Sequence, residues 1–300
     1  RSLVGSEMCI RDREYTITSK ATYNNPVIFS NVKEDIEGHR IGYLVYSGFE
    51  AGFDQELFNV FKDFKNKNVT DLILDLRYNG GGHTMSANLI ATCIAGTASQ
   101  GKVFSSLRYN DERMAKLNNK REDELFAYSS YPNLGTSLSA GSLNLPRVYC
   151  LVGNGTASAS ELVINSLEGI DLDVILIGEK TTGKNVGMEG VVRSFHNYDF
   201  LLFPVSFYIE NAKGFRDYSD GFTPDVQIDD SAIYPGEFGT MMDQLGYLAL
   251  QWIKTDNKPQ LPSAMHTRGS CRSMRSFGDL WENRPVQPVG GAVMQPVREE

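Results

Sequence analysis

Cysteine is scarce in this chain: four of 300 residues, at positions 9, 93, 150 and 271, with no C-x-x-C pair. Since no histidine falls at ligand spacing from them either, a structural zinc site is excluded and no metal or other cofactor is called for. Cys93 and Cys150 lie in apolar stretches and read as small buried hydrophobes. Long apolar runs are also missing; none reaches the roughly 18 residues that a membrane-crossing helix requires. Positive charge is in the minority, 29 Lys and Arg against 37 Asp and Glu, for a net charge of -8. That balance gives no electrostatic reason to expect a nucleic-acid partner. Histidine is rare, at 39, 83, 196 and 266, and G-x-S-x-G is absent, so a Ser-His-Asp triad lacks its usual local setting.

What is present is enough apolar material, 41% of residues, for one large domain or two ordinary ones. The first residue is Arg1 and not Met, no signal peptide is visible, and Arg1 to Arg13 carries neither strand nor helix period. Residues 1–25 are therefore set aside as an N-terminal remnant or artefact. Ile41 to Val45 reads as a strand. Phe53, Leu57, Val60, Phe61 and Phe64 mark a helix with an aromatic face, and Leu72 to Leu76 a strand covered on both sides. Met85, Leu89, Ile90, Cys93 and Ile94 repeat at helical spacing. Asp111 to Glu124 is charged and Tyr128 to Ser142 is rich in Ser, Gly and Pro, which predicts a mobile flap or surface excursion. Val148 to Val152, Ser158 to Leu167 and Val174 to Ile177 then read as strand, helix, strand. Val191 to Phe195 and Phe200 to Ile209, separated by His196 to Asp199, predict a hairpin, and Met241 to Lys254 a final helix. This alternation implies an α/β fold with a mostly parallel sheet between helices. Residues 26–254 form the predicted domain, and 255–300, dominated by Pro, Gly, Ser and Arg, a poorly ordered tail.

Three stretches that follow predicted strands carry polar chemistry. Gly80-Gly81-Gly82 fits a tight turn whose N–H groups suit an oxyanion, and Met85 spoils a G-x-G-x-x-G dinucleotide fingerprint. Ser158 with Glu161 matches the S-x-x-E capping box, and the first N–H groups of that helix, beginning with Ala159, are free to face an oxyanion. Gly178 to Lys184 matches the opening of a phosphate-binding loop, but Asn185 stands where a magnesium-binding hydroxyl belongs, and Gly187 and Gly190 oppose the helix that must follow. His83, directly after the glycine run, is the one histidine placed to rival Lys184 as a base.

Taken in order, Asp75 to Gly82, Ser158 to Glu161, Gly178 to Lys184 and Asp220 to Val226 resemble the motifs of the C-terminal processing, or tail-specific, serine peptidases. The resemblance spans Pro26 to Asp230. It implies a crotonase-like core, Ser158 as nucleophile, Lys184 as general base, and an oxyanion hole from the backbone of Gly81, Gly82 and Ala159. It implies protein or peptide substrates cut near their C-termini, in an exported, periplasmic or cell-envelope compartment. Some relatives orient the lysine with a Gln four residues later. Met188 stands there, which leaves Glu161 and Glu189 as possible orienting groups. The family usually carries a PDZ domain, for which the segment before this core is too short, so a missing N-terminal part is expected. The competing expectation is a catalytically silent relative that binds a peptide or apolar small ligand in the same cleft.

Overall fold

The computed structural model describes residues 24–195, 198–228, 238, 243–260 and 293–294. Strands β1 (Val27–Ile36), β2 (His39–Tyr46), β3 (Asp71–Asp75), β6 (Arg147–Val152), β7 (Asp173–Gly178) and β12 (Val226–Gln227) form a six-stranded sheet in the order β1-β2-β3-β6-β7-β12. β1 runs antiparallel to β2; the other pairs are parallel. Helices α1 (Asp54–Asn66), α2 (Thr84–Ala95) and α4 (Ala159–Gly169) connect these strands, as parallel pairing requires.

Successive residues of a strand face opposite ways, and two cores result. Leu44, Leu72, Leu74, Val148, Cys150 and Leu176 pack with Leu57, Phe61, Phe64, Ile90 and Leu162 of α1, α2 and α4. Ile41, Tyr43, Ile73, Tyr149, Leu151 and Ile175 face the other way, onto Leu245, Leu248, Ala249 and Ile253 of α5 (Gln244–Thr255). Cys93 and Cys150 are free thiols inside the first core, and burial pushes both well above the ordinary thiol range.

A second sheet of five strands has the order β13-β8-β11-β4-β5. It comprises β4 (Val103–Tyr109), β5 (Glu122–Leu125), β8 (Val186–Glu189), β11 (Val205–Glu210) and β13 (Val293–Met294). The short helix α3 (Asp111–Lys116) lies between β4 and β5. The expected flap is therefore structured. Tyr131 and Leu138 are fully buried, and Gly141 sits so close to Phe58 that a side chain there would meet the ring at 2.7 Å. The expected strand Phe200 to Ile209 divides into β10 (Tyr198–Leu202) and β11, broken at Phe203-Pro204, where proline has no N–H to continue a ladder. β10 pairs antiparallel with β9 (Val191–Phe195), and Tyr198 and Asp199 belong to the strand instead of the turn. Residues 196 and 197 of that turn, Met241 of the last helix and nearly all of the expected tail lie outside the described residues. No helix of the described residues is long and apolar enough to cross a membrane.

Glu168, near the end of α4, illustrates how the two layers constrain charge. Burial, with Asp225 close by and only partly offset by Lys213, pushes its carboxyl up to about 7 from 4.5. The folded state thus binds this proton more tightly than the unfolded chain, so stability falls as pH rises from about 4.5 through 7. Glu168→Gln should match the wild type below pH 4.5 and exceed it by about 1–2 kcal/mol above pH 7, read by urea unfolding across that range. Equal stability of the two proteins at pH 8 would contradict this.

Candidate active site

The site forms where the loops after β3, β6 and β7 meet. Beneath it, Arg77 is nearly buried and its guanidinium binds Asp75 at 2.6 Å and Asp243 at 3.1 Å. The Tyr43 hydroxyl donates to the same Asp243 at 2.6 Å. A charge this far from water is stable only when paired, and the pairing fixes the backbone that enters the glycine run.

Asn79, fully buried, organises that run. Its amide donates to Tyr46 O at 2.9 Å and its Oδ1 accepts Gly81 N–H at 2.9 Å. Its own carbonyl accepts the Ser160 hydroxyl at 2.9 Å and Ala157 N–H at 3.2 Å. Gly81 has φ 105°, and a Cβ there would lie 2.7 Å from Ser158 Cβ and 2.9 Å from Ala159 N. Only glycine permits this approach of one loop to the other. The Gly81 N–H, expected among the oxyanion donors, is turned to Asn79 Oδ1. Among the described residues no hydrogen bond takes up the N–H of Gly82 or of Ala159.

Ser158 is the N-cap of α4 and has φ 58°, ψ -113°, a strained backbone for a residue with a side chain. Ser158 N–H donates to Glu161 Oε2 at 2.9 Å, whereas Ser158 Oγ makes no capping bond and has no partner among the described residues. A sharp, strained turn from strand to helix that leaves a serine hydroxyl unpaired is the geometry of a nucleophile elbow.

Glu161 links this turn to the loop after β7. Its Oε1 accepts the Thr181 hydroxyl and Gly183 N–H, both at 2.6 Å, and its Oε2 accepts Lys184 N–H at 2.8 Å beside that of Ser158. Since the two N–H groups share one oxygen, the Ser158 and Lys184 nitrogens lie within about 6 Å of each other. Lys184 is half-buried. Loss of hydration pulls its ammonium below the usual lysine range, and the Glu161 charge opposes that shift. No ion pair to Lys184 occurs among the described residues.

Glu189, expected as a possible orienting group, has partners of its own. Both its oxygens bind Arg113, at 2.5 and 3.0 Å, and Tyr109 donates to it at 3.2 Å. His83 caps α2 with its backbone, and its N–H donates to Phe49 O at 2.8 Å. Lys184 is followed by β8 and not by a helix, so the phosphate-loop reading fails. The organising roles of Asn79 and Thr181 escaped the sequence reading. The only signal for them was their place inside the quoted motifs.

Strand-end loops bearing an unpaired serine and a desolvated lysine agree with a family assignment made independently. Residues 40–228 match the model of peptidase family S41, and the chain belongs to that family. Among solved structures it is similar to a Bacteroides fragilis protein assigned to the S41 proteases, at 30% identity and a TM-score of 0.67 over 79% of this chain and 60% of that one. It is also similar in fold to the photosystem II D1 C-terminal processing protease, at 21% identity and a TM-score of 0.52, covering 80% of this chain and 55% of that one. Mature CPAF matches at 14% identity and a TM-score of 0.50, over 79% and 58% of the two chains. The chain thus spans about 55–60% of the length of these relatives. No curated protein matched it.

Proposed function

We propose that this protein is a serine endopeptidase in which Ser158 is the nucleophile and Lys184 the general base. The observation that carries the reading is the shared Glu161 oxygen, which holds the Ser158 and Lys184 backbones side by side. Neutral Lys184 takes the proton from Ser158 Oγ as that oxygen attacks a peptide carbonyl. The N–H groups of Gly82 and Ala159 receive the negative charge that develops on the carbonyl oxygen. Collapse breaks the C–N bond, and the lysine ammonium returns its proton to the departing amine. A water molecule, deprotonated by the same lysine, then hydrolyses the acyl ester and frees the serine. The substrates are polypeptides cut near their C-termini, as the likeness to a C-terminal processing protease suggests, and the compartment is an exported one, as the resemblance of the motifs implies.

A fluorophosphonate probe tests this directly. It should label the wild type at Ser158 and leave Ser158→Ala unlabelled, and mass spectrometry of a digested unstructured polypeptide should place the cuts near its C-terminus. A folded wild type that takes no label, but melts at higher temperature with apolar ligands, would replace the peptidase by a ligand-binding relative.

A further inference from the structure

A second hydroxyl near the site also lacks a partner. Tyr218 is 3% exposed, and its OH makes no hydrogen bond among the described residues, an expensive condition for a buried polar group. Its ring is held by stacking on Phe222, with centroids 4.7 Å apart. The backbone around it is a tight turn, with Tyr218 N–H bonded to Arg216 O at 2.9 Å and Gly221 N–H to Tyr218 O at 2.8 Å.

That turn grips the lysine loop on both sides of Lys184. Asn185, the residue after Lys184, donates its side-chain amide to Arg216 O at 2.7 Å. Gly183, the residue before it, lies so close to Ser219 that a Cβ would meet the carbonyl oxygen at 2.2 Å. Further back, Phe222 N–H donates to Thr181 Oγ1 at 2.8 Å. Lys184 is thus flanked by residues that touch the neighbours of Tyr218 in the turn. Both side chains feel the Glu161 carboxylate, which opposes ionisation of the phenol after burial has already raised it, and favours the charged lysine.

We propose that Tyr218 is a positioning residue for Lys184: its phenolic oxygen accepts a hydrogen bond from the neutral amine and turns the amine lone pair toward the Ser158 hydroxyl. The assignment rests on the Ser158–Lys184 reading above. It also explains how the site dispenses with an amide at Met188, whose thioether is only a weak acceptor.

The test is the rate at which a fluorophosphonate labels Ser158 between pH 5 and 10, in the full chain and in Tyr218→Phe, which removes only the oxygen. In the wild type the rate should climb with pH to a plateau. Tyr218→Phe should lower that plateau about 10- to 100-fold. It should also move the midpoint to lower pH, because a phenolic acceptor favours the ammonium over the amine and its loss leaves burial less opposed. Its melting temperature should stay within a few degrees of that of the wild type, since at most one neutral hydrogen bond, worth about 1 kcal/mol, is lost. A plateau within twofold of the wild type, an unmoved midpoint, or a clear fall in melting temperature would each make Tyr218 a packing residue and overturn the proposal. A wild type that takes no label would instead overturn the Ser158–Lys184 reading, and the proposal with it.

Discussion

Replacing Lys184 by arginine should abolish peptide hydrolysis and fluorophosphonate labelling, by about 1,000-fold or more, without unfolding the protein. Guanidinium keeps the positive charge but cannot release a proton in the working range. Lys184→Ala should be equally inactive. The side chain is half-buried with no ion pair among the described residues, so neither change should lower stability much. The pH dependence follows from the direction of the lysine shift. Burial lowers its pKa, so the neutral, proton-accepting form grows in at lower pH than for an ordinary lysine, and activity should rise with pH through that depressed value. Activity retained by Lys184→Arg would show that the site uses charge and not a base. It would return His83, at the end of the glycine run, to consideration.

Glu161→Gln should cost about 3–5 kcal/mol in stability and reduce Ser158 labelling at least about 100-fold. The wild-type carboxylate is fully buried and accepts four hydrogen bonds from two loops. A carboxamide of the same shape has one acceptor oxygen and presents an NH2 to two of those four donors. Both effects are therefore expected together, the first read by denaturant unfolding and the second by labelling kinetics. A variant as stable and as reactive as the wild type would mean that the two loops hold each other without this brace.

Much of the fold was legible because buried strands and amphipathic helices write their environment into the sequence. Leu72 to Leu76, Val148 to Val152 and the aromatic face of α1 lie where the apolar pattern put them. Strand β1 was not read, since its sequence VIFSNVKEDI mixes polar and apolar residues as a sheet edge allows. Tyr128 to Ser142 was misread because its composition suggests a loop, whereas Tyr131 is buried by a hydroxyl bond to Asp54, 77 residues earlier. The same limit governs the site. Ser158 and Lys184 stand out by local motif, but nothing near Glu189 announces Arg113 opposite it, and nothing near Glu161 says that its carboxylate will take up the N–H groups of Gly183 and Lys184. Local pattern reports period and composition; it does not report which distant partner will satisfy a polar group.

The bond between Tyr43 and Asp243 joins residues 200 positions apart. Asp243 also helps to hold Arg77, at the entry to the glycine run, and it immediately precedes the helix that packs on β3, β6 and β7. The foundation of the site is therefore finished by one of the last described segments to leave the ribosome. Contacts so far apart in sequence form slowly. A nascent chain lacking residue 243 has Ile73, Tyr149 and Ile175 uncovered and Arg77 short of one carboxylate, so the loops that carry Ser158 and Lys184 are made well before the support beneath them is complete.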